Sequence, residues 1–147
     1  MGWQKCSGIR RSYLGRITRI ICNPQSKYEN IKEFTYNLLK NDNGEITEIS
    51  TQIKNLNTGM IEVYFFDGAG RIYSEFKNAA DFDQPDAFYE VKSIKWDDRG
   101  RKHSEINKDY SRDVHKELNE YSVTTQYSYD NWGGELFNNF ILWPSGH

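Results

Sequence analysis

Apolar and polar positions alternate along much of the chain and are broken at intervals by short polar turns. Four times an apolar, aromatic or β-branched run meets an Asp/Asn-Gly turn and continues into a second extended run. The turns are Asn41-Asp42-Asn43-Gly44, Asp67-Gly68-Ala69-Gly70, Asp97-Asp98-Arg99-Gly100 and Asp130-Asn131-Trp132-Gly133. At each, the leading Asp or Asn can bond the backbone two residues on, and Gly supplies the positive φ that closes the turn. Residues one and three places before a turn share a strand face. Tyr64/Phe66, Ile94/Trp96 and Tyr127/Tyr129 are therefore expected to pack as aromatic pairs on a common core. The turns start at 41, 67, 97 and 130, a spacing of 26, 30 and 33 residues. That is too irregular for a solenoid and suits a meander of hairpins.

Two segments read as helices. Tyr110, Val114, Leu118 and Tyr121 fall at helical spacing with charges between them, predicting a helix near 108–121 packed on the sheet. Ser26-Lys27-Tyr28-Glu29 has the form of a capping box, predicting a short helix from Lys27 towards Phe34. Residues 15–22 fit strand or helix equally. The expected fold is mainly β, an antiparallel meander of around eight strands in a curved sheet or barrel-like arrangement with one packed helix. The whole chain, 1–147, reads as a single domain with a basic N-terminal segment, 1–28.

Tyr127-Ser128-Tyr129-Asp130 followed by Gly133, and Tyr64-Phe65-Phe66-Asp67 followed by Gly70-Arg71, resemble the Tyr-Asp repeats of Rhs-type proteins. In long arrays such hairpin units build shells around toxin domains. Only the fourth unit here keeps both tyrosines, and it lacks the Arg after its glycine. The resemblance implies the hairpin architecture and a setting among bacterial secreted toxins and their neutralising partners; it identifies no catalytic residue.

Composition narrows the class. Aromatics make up 15% of the 147 residues, which argues against disorder, and no apolar run approaches the ~20 residues of a membrane-spanning helix. No membrane partner is expected. Net charge is only -2, but residues 1–28 hold six of the nineteen basic residues and no acid. The remainder carries thirteen basic against twenty-one acidic residues, a formal -8. Such a body favours a protein partner with a basic surface, while Arg10, Arg11, Arg16 and Arg19 form a candidate nucleic-acid-binding arm.

Arg16 and Arg19 interrupt the only candidate secretory core. The arm's Arg-rich, acid-free composition leaves a mitochondrial transit peptide open. Gly2 satisfies the start of a myristoylation signal, but Cys6 occupies its critical position. A cytoplasmic location is expected, with Cys6 and Cys22 as reduced thiols. Neither cysteine lies in a Cys-x-x-Cys pair, and His103, His115 and His147 lack ligand spacing, so no metal and no cofactor is expected.

One constellation carries possible catalytic chemistry. Arg101, His103 and Glu105 alternate after the third turn, as a small metal-independent nuclease would require: Glu and His as base and acid, Arg for the phosphate. Arg71, Tyr73 and Glu75 sit at matching offsets after the second turn, which favours a solvated face with cross-strand Arg/Glu pairs. Exposed aromatics give a second class of candidate. Trp132 within a turn, Tyr127 before it, and Trp143 near the C-terminus suit anchoring of a protein or a sugar ring. The reading favoured is a non-enzymatic binding protein that inhibits or sequesters a macromolecular partner, of the immunity or counter-defence type. The alternatives are the nuclease, nucleic-acid binding through the arm, and a β-barrel holding a small ligand.

Overall fold

The computed structural model describes residues 6–78 and 83–140. Ten strands run in chain order: β1 (Cys6–Arg11), β2 (Ile17–Cys22), β3 (Asn30–Lys40), β4 (Ile46–Asn55), β5 (Ile61–Phe66), β6 (Ile72–Lys77), β7 (Tyr89–Trp96), β8 (Lys102–Arg112), β9 (Leu118–Tyr129) and β10 (Glu135–Phe140). Each is followed in the sheet by its successor, and no ladder joins β10 back to β1 among the described residues. The meander is thus present, and among the described residues nothing closes it into the barrel-like alternative. The chain divides into two compact units, residues 1–64 and 65–147.

The expected helix near 108–121 is absent: no helix forms among the described residues. That stretch is the β8–β9 hairpin, with Tyr110 opposite Glu120 and Arg112 opposite Leu118. Between the strands, Asp113 makes the same bonds as the other turn aspartates. Its Oδ1 accepts the N–H groups of His115 and Glu117, both at 2.9 Å. The glycine position is held by Lys116 at φ 63. Without glycine the turn signal was hidden, and Val114, counted on a helical stripe, sits 91% exposed at the hairpin tip.

The short helix from Lys27 is likewise replaced, by a loop and then β3. The Ser26 Oγ accepts the Tyr28 N–H at 3.1 Å and Glu29 Oε2 accepts the Gln25 N–H at 2.8 Å. The polar side chains of the supposed capping box thus close a tight loop, in which Asn23 and Gln25 take positive φ. From Ile31 onward Lys32, Phe34, Tyr36 and Leu38 alternate with Glu33, Thr35 and Asn37, a strand period.

Among the described residues one turn geometry recurs six times, at Ser12–Arg16, Asn41–Glu45, Asp67–Arg71, Asp97–Arg101, Asp113–Glu117 and Asp130–Gly134. In each, the first residue's N–H donates to the fifth residue's carbonyl, and the fourth residue's N–H donates to the first residue's carbonyl. This is the three-residue hairpin loop with a left-handed fourth position. Where the first residue is Asp or Asn, its Oδ1 also accepts the N–H groups of the third and fifth residues, as at Asp97 from Arg99 at 3.0 Å and Arg101 at 2.7 Å. Those bonds, the Arg101 amide foremost, hold the Asp97 carboxyl below its ordinary range against the opposing effect of burial; Asp67 is lowered in the same way by Arg71.

A second device spans neighbouring hairpins in three places. Arg101 lies 4.1 Å over the Tyr129 ring, and the Tyr129 hydroxyl donates to the Lys102 carbonyl at 2.7 Å. Arg71 lies over Trp96 at 5.3 Å, and Trp96 Nε1 donates to the Ile72 carbonyl at 2.9 Å. In the first unit Arg16 lies over Tyr36 at 5.3 Å, and the Tyr36 hydroxyl donates to the Ile17 carbonyl at 2.9 Å. The arginine that ends one turn thus covers an aromatic ring whose polar tip bonds the next backbone carbonyl. Each staple combines a cation–π contact with a hydrogen bond on a half-open sheet surface.

Burial is shallow over the described part of the chain. Among the described hydrophobic residues only Ile94, at 9% exposure, is buried. It stands on β7 opposite Glu105, which stands opposite Thr125 on β9. The buried polar side chains are Ser50, Asn55, Ser74, Asn78 and Ser104. The two cysteines, expected as thiols, are joined: Cys6 and Cys22 are directly opposed on β1 and β2 and form a disulfide. The strand pairing, invisible in their separation of 16 residues, is what brings them together.

Candidate binding surfaces

Arg101, His103 and Glu105 come from the turn and first residues of β8. Arg101 is engaged twice, its Nε donating to Asp97 Oδ2 at 2.8 Å while its guanidinium covers Tyr129. Glu105 accepts from Lys102 Nζ at 2.7 Å and from Asn107 Nδ2 at 3.2 Å, with Lys92 Nζ at 3.7 Å. Burial works to raise the Glu105 carboxyl, but these donors outweigh it and hold the group below its usual range. His103 is exposed, at a shift of register in which Lys95 faces Ser104 and Trp96 faces Lys102. The register shift breaks the simple alternation on which the triad rested. The cations gather on Glu105 and the carboxylate of Asp97 gathers Arg101, which leaves an ion-paired sheet face.

The opposite side of the second unit carries another polar cluster. Lys108 Nζ lies 3.1 Å from Glu90 and 3.6 Å from Glu120. The Ser74 hydroxyl donates to Glu90 Oε1 at 2.6 Å, and the Tyr110 hydroxyl donates to the Glu90 carbonyl at 2.7 Å. Burial, then Glu120 and Glu90, push the Tyr110 hydroxyl up to about 12. All these groups are mutually satisfied, as a structural network requires. No group of His, Cys, Asp and Glu among the described residues could hold a metal ion.

The basic N-terminal segment is a hairpin over its described part. Arg10 and Arg19 stand opposite one another, with Arg19 Nε 4.0 Å from Glu33. Arg11 Nη1 donates to the Gly15 carbonyl at 2.9 Å, and Arg16 covers Tyr36. The register puts Arg19 with Glu33 and Tyr36 with Thr51, on opposite faces of β3. The four arginines are therefore divided between separate places. At the tip between them, Tyr13 is 96% exposed and Leu14 is exposed beside it.

Of the aromatic anchors, Trp132 is 96% exposed at the tip of the Asp130 turn. Tyr127 is half-buried, with Lys102 Nζ 5.8 Å from its ring centre. Trp143 lies outside the described residues.

One surface escaped the sequence reading. In the first unit the register aligns Ile9 with Ile20, Phe34 with Ile53, Tyr36 with Thr51 and Leu38 with Ile49, all on one face; Lys40 meets Ile46 beyond a bulge. The other face of β3 and β4 carries Glu33, Lys54, Thr35, Gln52, Asn37 and Ser50. The period-2 alternation was there to be read over Lys32–Leu38, but the capping-box pattern assigned its start to a helix.

Compared with protein families and with curated proteins, the chain matches none.

Proposed function

We infer that this chain is a non-catalytic binding protein that sequesters or inhibits a macromolecular partner. The observation that carries the reading is the exposure of large apolar side chains at hairpin tips, Tyr13, Leu14 and Trp132, in a chain whose described residues bury only one hydrophobic side chain. Tips held by five-residue hydrogen-bonded turns are rigid presenters, and rigid aromatic side chains bind at low entropic cost. The second unit, residues 65–147, has ten Lys and Arg against fifteen Asp and Glu, a formal -5. That charge supports a protein partner with a basic surface. The likeness to Tyr-Asp hairpins supports an inhibitor in the setting of secreted toxins. No helix is long and apolar enough to cross a membrane among the described residues. The Cys6–Cys22 bridge supports an oxidising compartment in place of the expected cytoplasm.

The test is affinity capture from source-cell material by the whole chain and by its Tyr13→Ser and Trp132→Ser variants, with and without nuclease. A stoichiometric protein that survives nuclease and is lost from a variant supports the reading. Capture that vanishes with nuclease, or that ignores both substitutions, overturns it.

A further inference from the structure

The apolar face of the first unit has a charge pattern of its own. On β2, β3 and β4 it presents Ile20, Lys32, Phe34, Tyr36, Leu38, Lys40, Ile49, Thr51 and Ile53 by register and alternation, with no carboxylate among them. On β5, alternation from Met60, whose carbonyl accepts the Asn55 N–H, brings one carboxylate, Glu62, to the margin of this face beside Ile53, where it accepts the Tyr64 hydroxyl at 3.3 Å. Leu38 is 51% exposed, Ile46 at its end 54%, and Phe34, Ile49 and Ile53 are half-buried. Lys32 and Lys40 are both exposed. Neither they nor Arg16 has an ion-pair partner among the described residues, whereas on the opposite face Arg19 faces Glu33. An apolar stripe bracketed by unneutralised cations attracts an apolar partner bearing anions.

The topology selects the form of that partner. β3 is paired on both sides, to β2 and to β4, and β4 is paired to β3 and followed in the sheet by β5. Their backbone groups are used, so an extended peptide laid on this face would find no ladder to join. A helix satisfies its own backbone and needs only side-chain contacts. Lys32 and Lys40 are eight residues apart on β3, about 27 Å at ~3.4 Å per residue. A helix of roughly 18 residues spans the same length at ~1.5 Å per residue. Asp42 and Glu45, in the turn that ends the face, oppose a flat anionic bilayer more than a narrow helix, which can stop short of them.

We propose that the face of Phe34, Tyr36, Leu38, Ile49 and Ile53 is a docking site for an acidic amphipathic helix of a protein partner, its carboxylates meeting Lys32 and Lys40. This site is separate from the hairpin tips and the acidic second unit, and stands or falls independently of them.

The experiment uses the whole chain and two fluorescent 18-residue amphipathic peptides with the same leucine stripe, one with Glu and one with Lys at its polar positions, read by anisotropy. The Glu peptide is expected to bind about tenfold more tightly than the Lys peptide. The Lys32→Glu/Lys40→Glu variant, changed only at exposed positions, is expected to reverse that order, and Leu38→Asp to abolish binding of both, with β-sheet circular dichroism retained. Equal binding, no binding, or indifference to the charge reversal overturns the proposal. Flotation of the chain with phosphatidylglycerol-containing vesicles, lost in Leu38→Asp, overturns it in favour of a lipid surface.

Discussion

Replacing Tyr129 by Phe tests the staple that links one hairpin to the next. The substitution keeps the ring under Arg101 and removes only the hydroxyl, which donates to the Lys102 carbonyl at 2.7 Å. A single net hydrogen bond of this kind contributes about 1 kcal/mol. The retained cation–π contact, at 4.1 Å, is worth roughly 0.5–1 kcal/mol at a partly exposed site. Tyr129→Phe should therefore destabilise by about 1 kcal/mol and Tyr129→Leu, which loses both contacts, by about 2 kcal/mol. For a chain of this size the first loss corresponds to a fall in Tm of roughly 3 °C. Tyr36→Phe removes the equivalent bond to Ile17 at 2.9 Å and should cost a similar amount. Urea unfolding followed by fluorescence measures both. A Tyr129→Phe protein within ~0.3 kcal/mol of the parent, or a Leu variant no worse than the Phe variant, would refute the staple as a source of stability.

Four further substitutions or perturbations have defined outcomes. Ser12 begins one of the six turns, yet its Oγ is buried without a hydrogen-bond partner; Ser12→Asp supplies the acceptor the other turns use and should stabilise by about 0.5–1 kcal/mol in urea titrations. Lys116 occupies a left-handed position at φ 63 that glycine holds in the other five turns; Lys116→Gly should raise stability by about 0.5–1 kcal/mol, and a loss would refute the strain argument. The Tyr110 hydroxyl, raised to about 12 from 10, keeps its proton more tightly in the folded chain, so its stabilisation is whole below about pH 10 and is lost as pH climbs towards 12. Screened at this partly exposed site it is worth ~1 kcal/mol; ultraviolet titration should show a late tyrosine component that is lost in Tyr110→Phe. Reduction of Cys6–Cys22, which closes a loop of separation 16, should cost the first unit about 3 kcal/mol, measured by thiol assay and unfolding in parallel.

Four of the six turns were legible because Gly44, Gly70, Gly100 and Gly133 mark them after Asn or Asp. The other two were missed for separate reasons: one opens with Ser12 in place of an acid or amide, the other puts Lys116 where glycine is expected. The staples were beyond reach of any fixed period. Arg16, Arg71 and Arg101 reach rings 20, 25 and 28 residues downstream, at Tyr36, Trp96 and Tyr129, because the loops between differ in length. Gly100 shows how far the turn signal extends beyond backbone freedom. Besides its φ of 77, a Cβ there would lie 3.1 Å from Arg71 Nη1, so the glycine of one turn makes room for the staple of the turn before.

The same unit explains why Arg101, His103 and Glu105 have catalytic spacing. The fifth turn position favours Arg because its guanidinium answers the turn Asp and covers a ring of the next hairpin, as Arg71 does with Asp67 and Trp96. Four residues on, the strand offers a carboxylate to neighbouring lysines: Glu105 to Lys102 and Lys92, Glu75 to Lys77 at 3.2 Å. Arg-x-x-x-Glu therefore arises twice from architecture alone. To hold a phosphate, Arg101 would have to leave Asp97 and Tyr129, and so undo the contacts that join its hairpin to the next. To act as a base near neutral pH, Glu105 would need an environment that raises its pKa, and its cations do the opposite. Both requirements set catalysis by Arg101 and Glu105 against the contacts that hold these hairpins together.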